Sequence, residues 1–288
     1  MRWRGGGENQ TGSKCHEGGS RLSAALAFVR RDFLANASYR LSFVMQFFAI
    51  FFGVVTFYYV AQVFGASASP LLQAYGGNYF AFVLIGIAFS DYLYLSLSTF
   101  ASSIREGQTM GTLEMMLLSP LRLSSILVSS SLWGYIFTSF RVVLYLLLGT
   151  LVFGIAMGNA NILAALVVFF LSILSFCGLG ILSAAFVVVL KKGDPVSWAF
   201  GSLSSLLGGV FYPISVLPEW LQPLSGFLPL TYSLDGMRLA LLQGYTVLEV
   251  WRDIAFLALF AVILLPTGVL AFRFAVRRAK VEGTLSQY

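Results

Sequence analysis

A chain of 288 residues is long enough for one or two soluble domains, but 58% of its residues are hydrophobic and only 10% are charged, against roughly 25% charged residues in a soluble domain. The apolar residues fall in long runs, which excludes a water-soluble core and indicates a lipid environment. The formal charge of +6 does not indicate nucleic-acid binding, because the basic residues stand at the ends of the apolar runs.

Residues 1–19 are polar and rich in glycine. We expect them to form a flexible cytoplasmic tail, because they carry too little apolar surface to become ordered, and they contain no stretch that would serve as a signal-peptide core. Residues 7–14 match a phosphate-binding loop only loosely, because Lys14 follows a serine instead of preceding one. Cys15 in this tail and Cys177 in an apolar run give no disulfide framework.

Residues 20–40 carry apolar side chains at helical spacing, including Leu22, Leu26 and Val29, with arginines at positions between them. This pattern predicts an amphipathic helix at the inner membrane surface, where the arginines would meet anionic lipid headgroups. An ordinary amphipathic helix in the cytosol is the alternative interpretation.

Six apolar stretches follow, each long enough for the ~20 helical residues that cross a bilayer. They predict an all-α integral membrane protein with six transmembrane helices, a transmembrane domain at 41–273 and a cytoplasmic C-terminal tail at 274–288. The predicted transmembrane helices are 41–64, 79–101, 124–153, 162–190, 196–216 and 251–272.

The distribution of lysine and arginine predicts the orientation in the membrane. If the N-terminus is cytoplasmic, fifteen of the eighteen basic residues lie on the cytoplasmic side. Only Arg238 and Arg252 then lie outside, and Arg141 lies within the third transmembrane helix. Both termini are therefore predicted to be cytoplasmic.

Residues 104–123, here called the coupling loop, join the second and third predicted transmembrane helices on the cytoplasmic side. Gly107 and Gly111 flank a polar turn, residues 112–118 can form a short helix, and Pro120 marks its end. The apolar face of that helix could press into a groove on a partner protein. A surface loop lying against the bilayer is the alternative.

Residues 211–244, here called the re-entrant segment, lie between the fifth and sixth predicted transmembrane helices. Pro213, Pro218, Pro223 and Pro229 preclude a straight helix. The segment is too apolar for a free loop, so we expect it to dip into the outer leaflet as broken helices covered by protein, where it could form an external gate.

Two sets of residues in these segments carry a family resemblance. In the coupling loop, they are Arg105, Glu106, Gly107, Gly111, Thr112, Leu113, Glu114 and Pro120. In the re-entrant segment, they are Tyr212, Pro213, Leu217, Pro218, Trp220, Leu228, Pro229, Leu230, Thr231, Tyr232 and Arg238. With them, residues 20–274 resemble the type-2 export permeases of ATP-binding-cassette (ABC) transporters. One departure is Leu228, where many relatives have asparagine before the proline.

The resemblance implies a homodimer of permeases in a bacterial-type inner (plasma) membrane. Each copy would dock one ABC ATPase subunit through the coupling loop and the amphipathic helix, so ATP and Mg would bind to two partner ATPases and no cofactor to this chain. The substrate would be an amphiphilic compound, either a lipid-linked glycan or polysaccharide or a hydrophobic drug-like molecule. The sequence agrees with ATP binding by a separate subunit, because it contains no credible nucleotide-binding motif.

Two ionisable residues, Asp91 and Arg141, lie well inside predicted transmembrane helices, where an unpaired charge is costly. We hypothesise that they form a pair that stabilises one transport state or lines the pathway. The alternative is that each one separately meets water or backbone. Asp91 shares a helical face with Tyr94 and Ser98, and Arg141 shares one with Gly134, Thr138, Tyr145 and Gly149.

Other function classes are weaker. A membrane-embedded lipid hydrolase or transferase would need a set of catalytic side chains, yet the predicted transmembrane helices contain no histidine and essentially one carboxylate, Asp91. A passive channel or a membrane scaffold remains the alternative to an exporter. The aromatic side chains crowded into the first predicted helix either pack against lipid and protein or line a path for sugar rings or flat apolar molecules; they are Phe47, Phe48, Phe51, Phe52, Phe57, Tyr58 and Tyr59.

Overall fold

The structure is a computed structural model that describes residue 30 and residues 40–109, 123–155, 158–190 and 194–281. The regular secondary structure among these residues is helical, with no β-strand, so the prediction of an all-helical fold is confirmed for this part of the chain. The α-helices are α1 (Arg40–Ala68), α2 (Tyr79–Thr109), α3 (Leu123–Leu151), α4 (Ile162–Leu190), α5 (Pro195–Leu207), α6 (Gln222–Ser225), α7 (Pro229–Arg238) and α8 (Trp251–Val281). Shorter helical turns lie at Ser69–Tyr75, Ile214–Val216 and Leu239–Gln243.

Five of these helices are long and apolar enough to cross a membrane. Each contains at least 21 residues of high mean hydropathy, and about 20 helical residues cover the 30 Å of a bilayer core. These segments are Val44–Gly65, Tyr79–Ser103, Ser131–Leu151, Ile162–Leu190 and Trp251–Ala279.

The fifth predicted transmembrane helix, 196–216, is where the structure differs most from the prediction. The observed helix α5 contains only 13 residues, a length of about 20 Å, which is shorter than a bilayer core. It ends at Leu207 because Gly208 and Gly209 follow, and Gly209 has a φ of +75° that side-chain-bearing residues rarely adopt. The hydropathy pattern did not register this break, since glycine does not interrupt an apolar run.

Helix α2 lies at the centre of the bundle. In its most apolar stretch, 72% of the residues are buried inside the protein, against 11% in the corresponding stretch of α1. Helix α2 packs against α1, α3, α4, α5 and α7. Helices α2 and α4 approach closely, because a Cβ at Gly180 would overlap the carbonyl oxygen of Ser96. Small residues allow such backbone contact between membrane helices. A movement of α2 would therefore displace the contacts of most other helices in the bundle.

The two ends of the bundle differ in structure. We call the end where α2, α4 and α8 begin the Tyr79 end, and the opposite end the Leu190 end. The re-entrant segment lies at the Tyr79 end as four short helical pieces, as its prolines predict. It is held there partly by the Asn161 amide, which donates to the Ala240 carbonyl over 2.9 Å.

Near the Leu190 end, Asp194 ties three helices together. Its carboxylate accepts hydrogen bonds from the Ser183 hydroxyl of α4 at 2.7 Å and from the amide and hydroxyl of Ser197 at 3.0 and 2.5 Å. Asp194 is thus the N-cap of α5, with Pro195 at the first helical position. The Ser197 hydroxyl also lies 3.1 Å from the Leu97 carbonyl of α2.

Replacing Asp194 with alanine is expected to destabilise the protein by about 1–2 kcal/mol, because an N-cap is lost and two hydroxyl donors lose their acceptor. Asp194→Asn should lose less, since an asparagine oxygen still caps a helix. The midpoint of thermal unfolding of the purified protein in detergent measures both changes. An alanine variant as stable as the unchanged protein would show that this cluster contributes nothing to stability.

Candidate functional site

Asp91 of α2 and Arg141 of α3 form an ion pair. The Nη2 atom of Arg141 donates to Oδ2 of Asp91 over 2.5 Å, and the two side chains remain 26% and 24% exposed. Tyr145, one turn further along α3, lies beside both charged groups. The Nε atom of Arg141 is buried without a hydrogen-bond partner. The pair is therefore formed within one copy of the chain, and it is only partly covered by it.

One face of α2 presents polar groups to the outside of the single chain. Asp91, Tyr94, Ser98, Ser102 and Arg105 follow one another along this face, and all but the mostly buried Asp91 are exposed. We call these five residues the polar stripe. Polar side chains at membrane depth rarely face lipid. The stripe is therefore suited to another protein surface or to water.

The polar stripe is bordered by α5 on one side and by α3 on the other. The Tyr94 hydroxyl donates to the Gly201 carbonyl of α5 over 3.3 Å. Arg141 reaches Asp91 from the α3 side. Both neighbouring helices thus make a polar contact with the stripe, so α2, α3 and α5 together build this surface.

The remaining polar residues predicted on α3 do not line that surface. Thr138 and Tyr145 are both less than a tenth exposed. A Cβ at Gly134 would lie 3.0 Å from Leu95, and one at Gly149 would lie 2.5 Å from Leu84, both on α2. This face of α3 is therefore a packing surface for α2, and Thr138 and Tyr145 are buried within the single chain.

A network of hydrogen-bonded side chains joins α2, α3 and α4. The sequence did not predict this network. The Tyr92 hydroxyl donates to Ser139 over 2.9 Å. The Tyr135 hydroxyl lies 2.6 Å from the Ser96 hydroxyl and 3.0 Å from the Cys177 sulfur. Hydrogen bonds between helices stabilise membrane bundles where no water is available. The helical spacing of Tyr92 and Ser96 indicates in the sequence that the two side chains share a face of α2, but the sequence does not indicate which residues they contact.

The coupling loop is described only at its start. Arg105, Glu106 and Gly107 belong to α2, which continues to Thr109. Helix α2 therefore extends beyond its apolar part and includes the first residues of the predicted coupling loop, as far as Thr109. Five further predicted coupling residues lie outside the described residues: Gly111, Thr112, Leu113, Glu114 and Pro120.

The residues predicted in the re-entrant segment lie in two different settings. Trp220, which lies between Pro218 and α6, is 73% exposed. The hydroxyl of Tyr212, the residue before Pro213, donates to the Leu206 carbonyl at the end of α5. Pro229, by contrast, is a buried first residue of α7. Tyr232 stacks on Phe256 of α8, with ring centroids 4.5 Å apart. The first half thus covers the end of α5, and the second half is packed into the bundle.

Arg238, at the end of α7, is 3% exposed. Its guanidinium donates to the carbonyl of Phe82 over 3.0 Å, of Gly209 over 2.9 Å and of Val210 over 3.0 Å. It also lies over the Phe82 ring at 3.3 Å. Among the described residues, no carboxylate lies within salt-bridge distance of it. Arg238, which belongs to α7, therefore links α7 to α2 and to the break after α5 through the backbone oxygens of those two elements.

The positive-inside count placed Arg238 on the outer side of the membrane, and the structure adds that its side chain is buried inside the chain. Gly86 of α2 makes room for the arrangement, because a Cβ there would overlap the Val210 carbonyl. An isolated glycine inside a helical pattern was a readable signal of close backbone approach. The partner carbonyls of Gly209 and Val210 had no signal, because any residue supplies a carbonyl.

Comparison with known proteins gives a match between residues 72–270 and the model of the ABC-2 family transporter proteins. The match runs from before α2 to within α8. The chain is also 29% identical over 150 residues to the linearmycin resistance permease protein LnrN of Bacillus subtilis (strain 168). That alignment covers 49% of this chain and 37% of LnrN, so the chain spans well under half the length of this curated relative.

The family match covers more than half of the chain and confirms the resemblance drawn from the coupling loop and the re-entrant segment. Members of this family are transport subunits of the membrane and generally work with an ABC ATPase. The chain, in which five of the described helices are long and apolar enough to cross a membrane, belongs to the ABC-2 family of transporter proteins and is an integral membrane protein.

Proposed function

We propose that this chain is the permease subunit of an ABC exporter, and that it works as a homodimer with two copies of a separate ATPase that binds ATP and Mg. It moves an amphiphilic compound out of the cytoplasm across a bacterial-type inner membrane. The observation that carries this proposal is the position of α2, which leads directly into the coupling loop and is the most buried long helix of the bundle.

The bundle supports a path for mechanical coupling. The coupling loop is connected to α2 before it and α3 after it, and these two helices are joined by the Asp91–Arg141 ion pair. A push on the loop by a closing ATPase dimer would shift both helices together. Packed helices transmit such shifts as discrete rearrangements. The polar stripe then changes its exposure in the gap between two copies of the chain, where the substrate passes.

The chain must also cross the bundle between α4 and α8, because α4 ends at the Leu190 end and α8 begins at the Tyr79 end. Helix α5 begins beside Leu97, and Val210 in the break after it lies beside Gly86, which carries the chain in that direction. We propose that α5 and the break after it form the sixth crossing. An even number of crossings places both termini on the same side, and the positive-inside rule makes that side cytoplasmic.

The substrate is proposed as an amphiphile, either a lipid-linked glycan or a hydrophobic drug-like compound. The name of the relative LnrN, a linearmycin resistance permease, supports the drug-like class. The polar stripe beside the exposed apolar side chains Trp198 and Leu206 of α5 suits a molecule with both polar and apolar parts. A fold shared within a family does not itself define the substrate.

Substitutions in the coupling loop should separate the permease from its ATPase. Glu106→Ala, Gly111→Pro and Glu114→Ala are expected to lower the amount of co-purified ATPase or to reduce ATP-driven export by roughly 5- to 150-fold, the range of typical coupling free energies. Glu219→Ala is the matched control, because Glu219 is an exposed carboxylate in the re-entrant segment, at the opposite end. It should leave the association unchanged.

Two outcomes would contradict the proposed function. Movement of substrate through the purified chain without any ATPase would favour a passive channel. Labelling of residues 104–123 by a membrane-impermeant reagent added from outside would place the coupling loop on the wrong side of the membrane.

A further inference from the structure

A cavity of about 600 Å³ lies at the Tyr79 end of the bundle. It is formed between the last turns of α1, the start of α2 and the end of α3, away from the polar stripe. Its volume falls within the roughly 300–1,000 Å³ typical of small-molecule sites. Its lining residues are Tyr58, Ala61, Gln62, Gly65, Ser69, Gly76, Gly77, Asn78, Tyr79, Phe80 and Phe153.

One face of α1 supplies the outer wall of the cavity. Tyr58, Ala61, Gln62 and Gly65 recur at helical spacing on this face. Ala61 and Gly65 are small, and a Cβ at Gly65 would meet no atom within 4 Å. The space therefore exists because this face of α1 lacks large side chains at two of its four positions.

Aromatic rings form a second wall of the cavity, which shares Tyr58 with the α1 face. Tyr58 lies 5.5 Å from Phe80 and 4.5 Å from Phe153, and Phe80 lies 5.4 Å from Phe153, measured between ring centroids. Aromatic faces carry partial negative charge and attract polarised C–H groups. A wall of this kind suits a ring or chain that presents C–H bonds on one side.

The polar groups of the cavity are neutral. The Gln62 amide donates to the Tyr58 hydroxyl over 3.0 Å, the Asn78 oxygen accepts from the Ala81 amide over 3.1 Å, and Ser69 adds a hydroxyl. The lining contains no lysine, arginine, aspartate or glutamate. An ionic ligand would find no opposite charge here, whereas a ligand with many hydroxyl groups would find both donors and acceptors.

The neighbouring face of α1 is apolar and unprotected. Tyr59, Val63 and Phe64 are all more than half exposed, as expected for side chains that contact lipid. A ligand with an alkyl chain could lay that chain along these residues while its polar part enters the cavity. The site is therefore matched to an amphiphile at the membrane surface.

We propose that this cavity binds a neutral polyhydroxylated group, a sugar ring or a polyol, carried on an amphiphile. The aromatic wall contacts its C–H face, and Gln62, Ser69 and Asn78 exchange hydrogen bonds with its hydroxyl groups. This goes beyond the proposed export function, because binding at this site needs neither an ATPase nor a transport cycle.

The test is photolabelling of the purified full-length chain in a zwitterionic detergent. The probe is octyl glucoside that carries a diazirine on its alkyl chain, and labelled peptides are mapped by mass spectrometry. We expect labelling near residues 58–65 and 76–80, reduced several-fold by Gly65→Leu, which fills the cavity, and by Gln62→Leu. Gly53→Leu and Gln73→Leu are matched controls: Gly53 also has open space around it, Gln73 is exposed, and neither lines the cavity.

Competition identifies the recognised chemistry and its source. Unlabelled octyl glucoside should reduce labelling, and glucose should do so only at much higher concentration, because it lacks the alkyl chain. Octyltrimethylammonium and octyl phosphate should compete poorly. Equal competition by either ion, or unchanged labelling in Gly65→Leu, would overturn the proposal. Labelling that follows this pattern in a chain that binds no ATPase would preserve the site and refute the exporter.

Discussion

Replacing Arg238 with glutamine is expected to release the re-entrant segment from α2. The guanidinium supplies hydrogen bonds to three backbone carbonyls in a buried site, and glutamine can satisfy only part of them. Carbonyls left without a donor cost about 1–3 kcal/mol each. A net loss of about 3 kcal/mol corresponds to roughly a hundredfold change in the ratio of docked to released segment.

Hydrogen exchange of the amides of residues 208–216 measures this release directly, because opening exposes them to solvent. Arg238→Gln should raise exchange there while exchange in α4 and α8 stays low. Arg238→Lys should raise exchange by an intermediate amount, since the lysine ammonium is a point charge without the planar set of donors that arginine carries. Arg252→Gln is the matched control, because Arg252 is an exposed arginine at the same end.

Gly86→Ala approaches the same contact from the other side. The added methyl group would overlap the Val210 carbonyl, so this variant should also raise exchange in residues 208–216. Gly53→Ala adds the same methyl group where nothing lies within 4 Å, and it should leave exchange unchanged. If Arg238→Gln and Gly86→Ala both exchanged like the unchanged protein, Arg238 would not hold the re-entrant segment.

Release of this segment should also affect the assembled transporter. If the re-entrant segment is an external gate, the released form should lower export far more than it lowers the thermal stability of the bundle. ATP hydrolysis by the complex should then continue without matching export. A proportional loss of stability and export would indicate a role in folding alone.

The long apolar helices could be predicted from the sequence because membrane crossing imposes a length and a hydropathy. The predicted range 162–190 coincides with α4, and the other long helices begin within a few residues of their predicted starts. Their ends were less well predicted. Helices α2 and α8 continue into polar residues beyond the apolar run, to Thr109 and Val281, where hydrogen bonding continues the helix although hydropathy no longer marks it.

Local backbone chemistry and tertiary contacts account for the features that the sequence did not predict. The break after Leu207 depends on the conformation of Gly209, which an apolar average does not detect. The burial of Arg238 depends on carbonyls from α2 and from residues far along the chain, which carry no sequence signature. Asp91 and Arg141 were found because an ionisable side chain in a membrane helix is conspicuous. The sequence left open whether they contact each other, and the structure shows that they form an ion pair.

Charge reversal at the Asp91–Arg141 pair should produce the second large effect. Asp91→Arg places two arginines side by side, and Arg141→Asp places two aspartates side by side, so each single variant is expected to lose export almost completely. The pair is about three-quarters buried, and breaking it should cost about 1–3 kcal/mol, between the values for exposed and fully buried pairs. The double variant restores opposite charges and should recover a substantial part of export.

A double-mutant cycle gives the coupling energy between the two residues, and it should be measured on two quantities, thermal stability and export. The neutral variants Asp91→Asn and Arg141→Gln provide the control without like-charge repulsion. A pair that only holds α2 against α3 gives the same coupling energy for both quantities. A pair that stabilises one transport state gives a larger coupling energy for export, because export depends on the difference between two states. If the double reversal exported no better than the worse single reversal, the ion pair would have no role in transport.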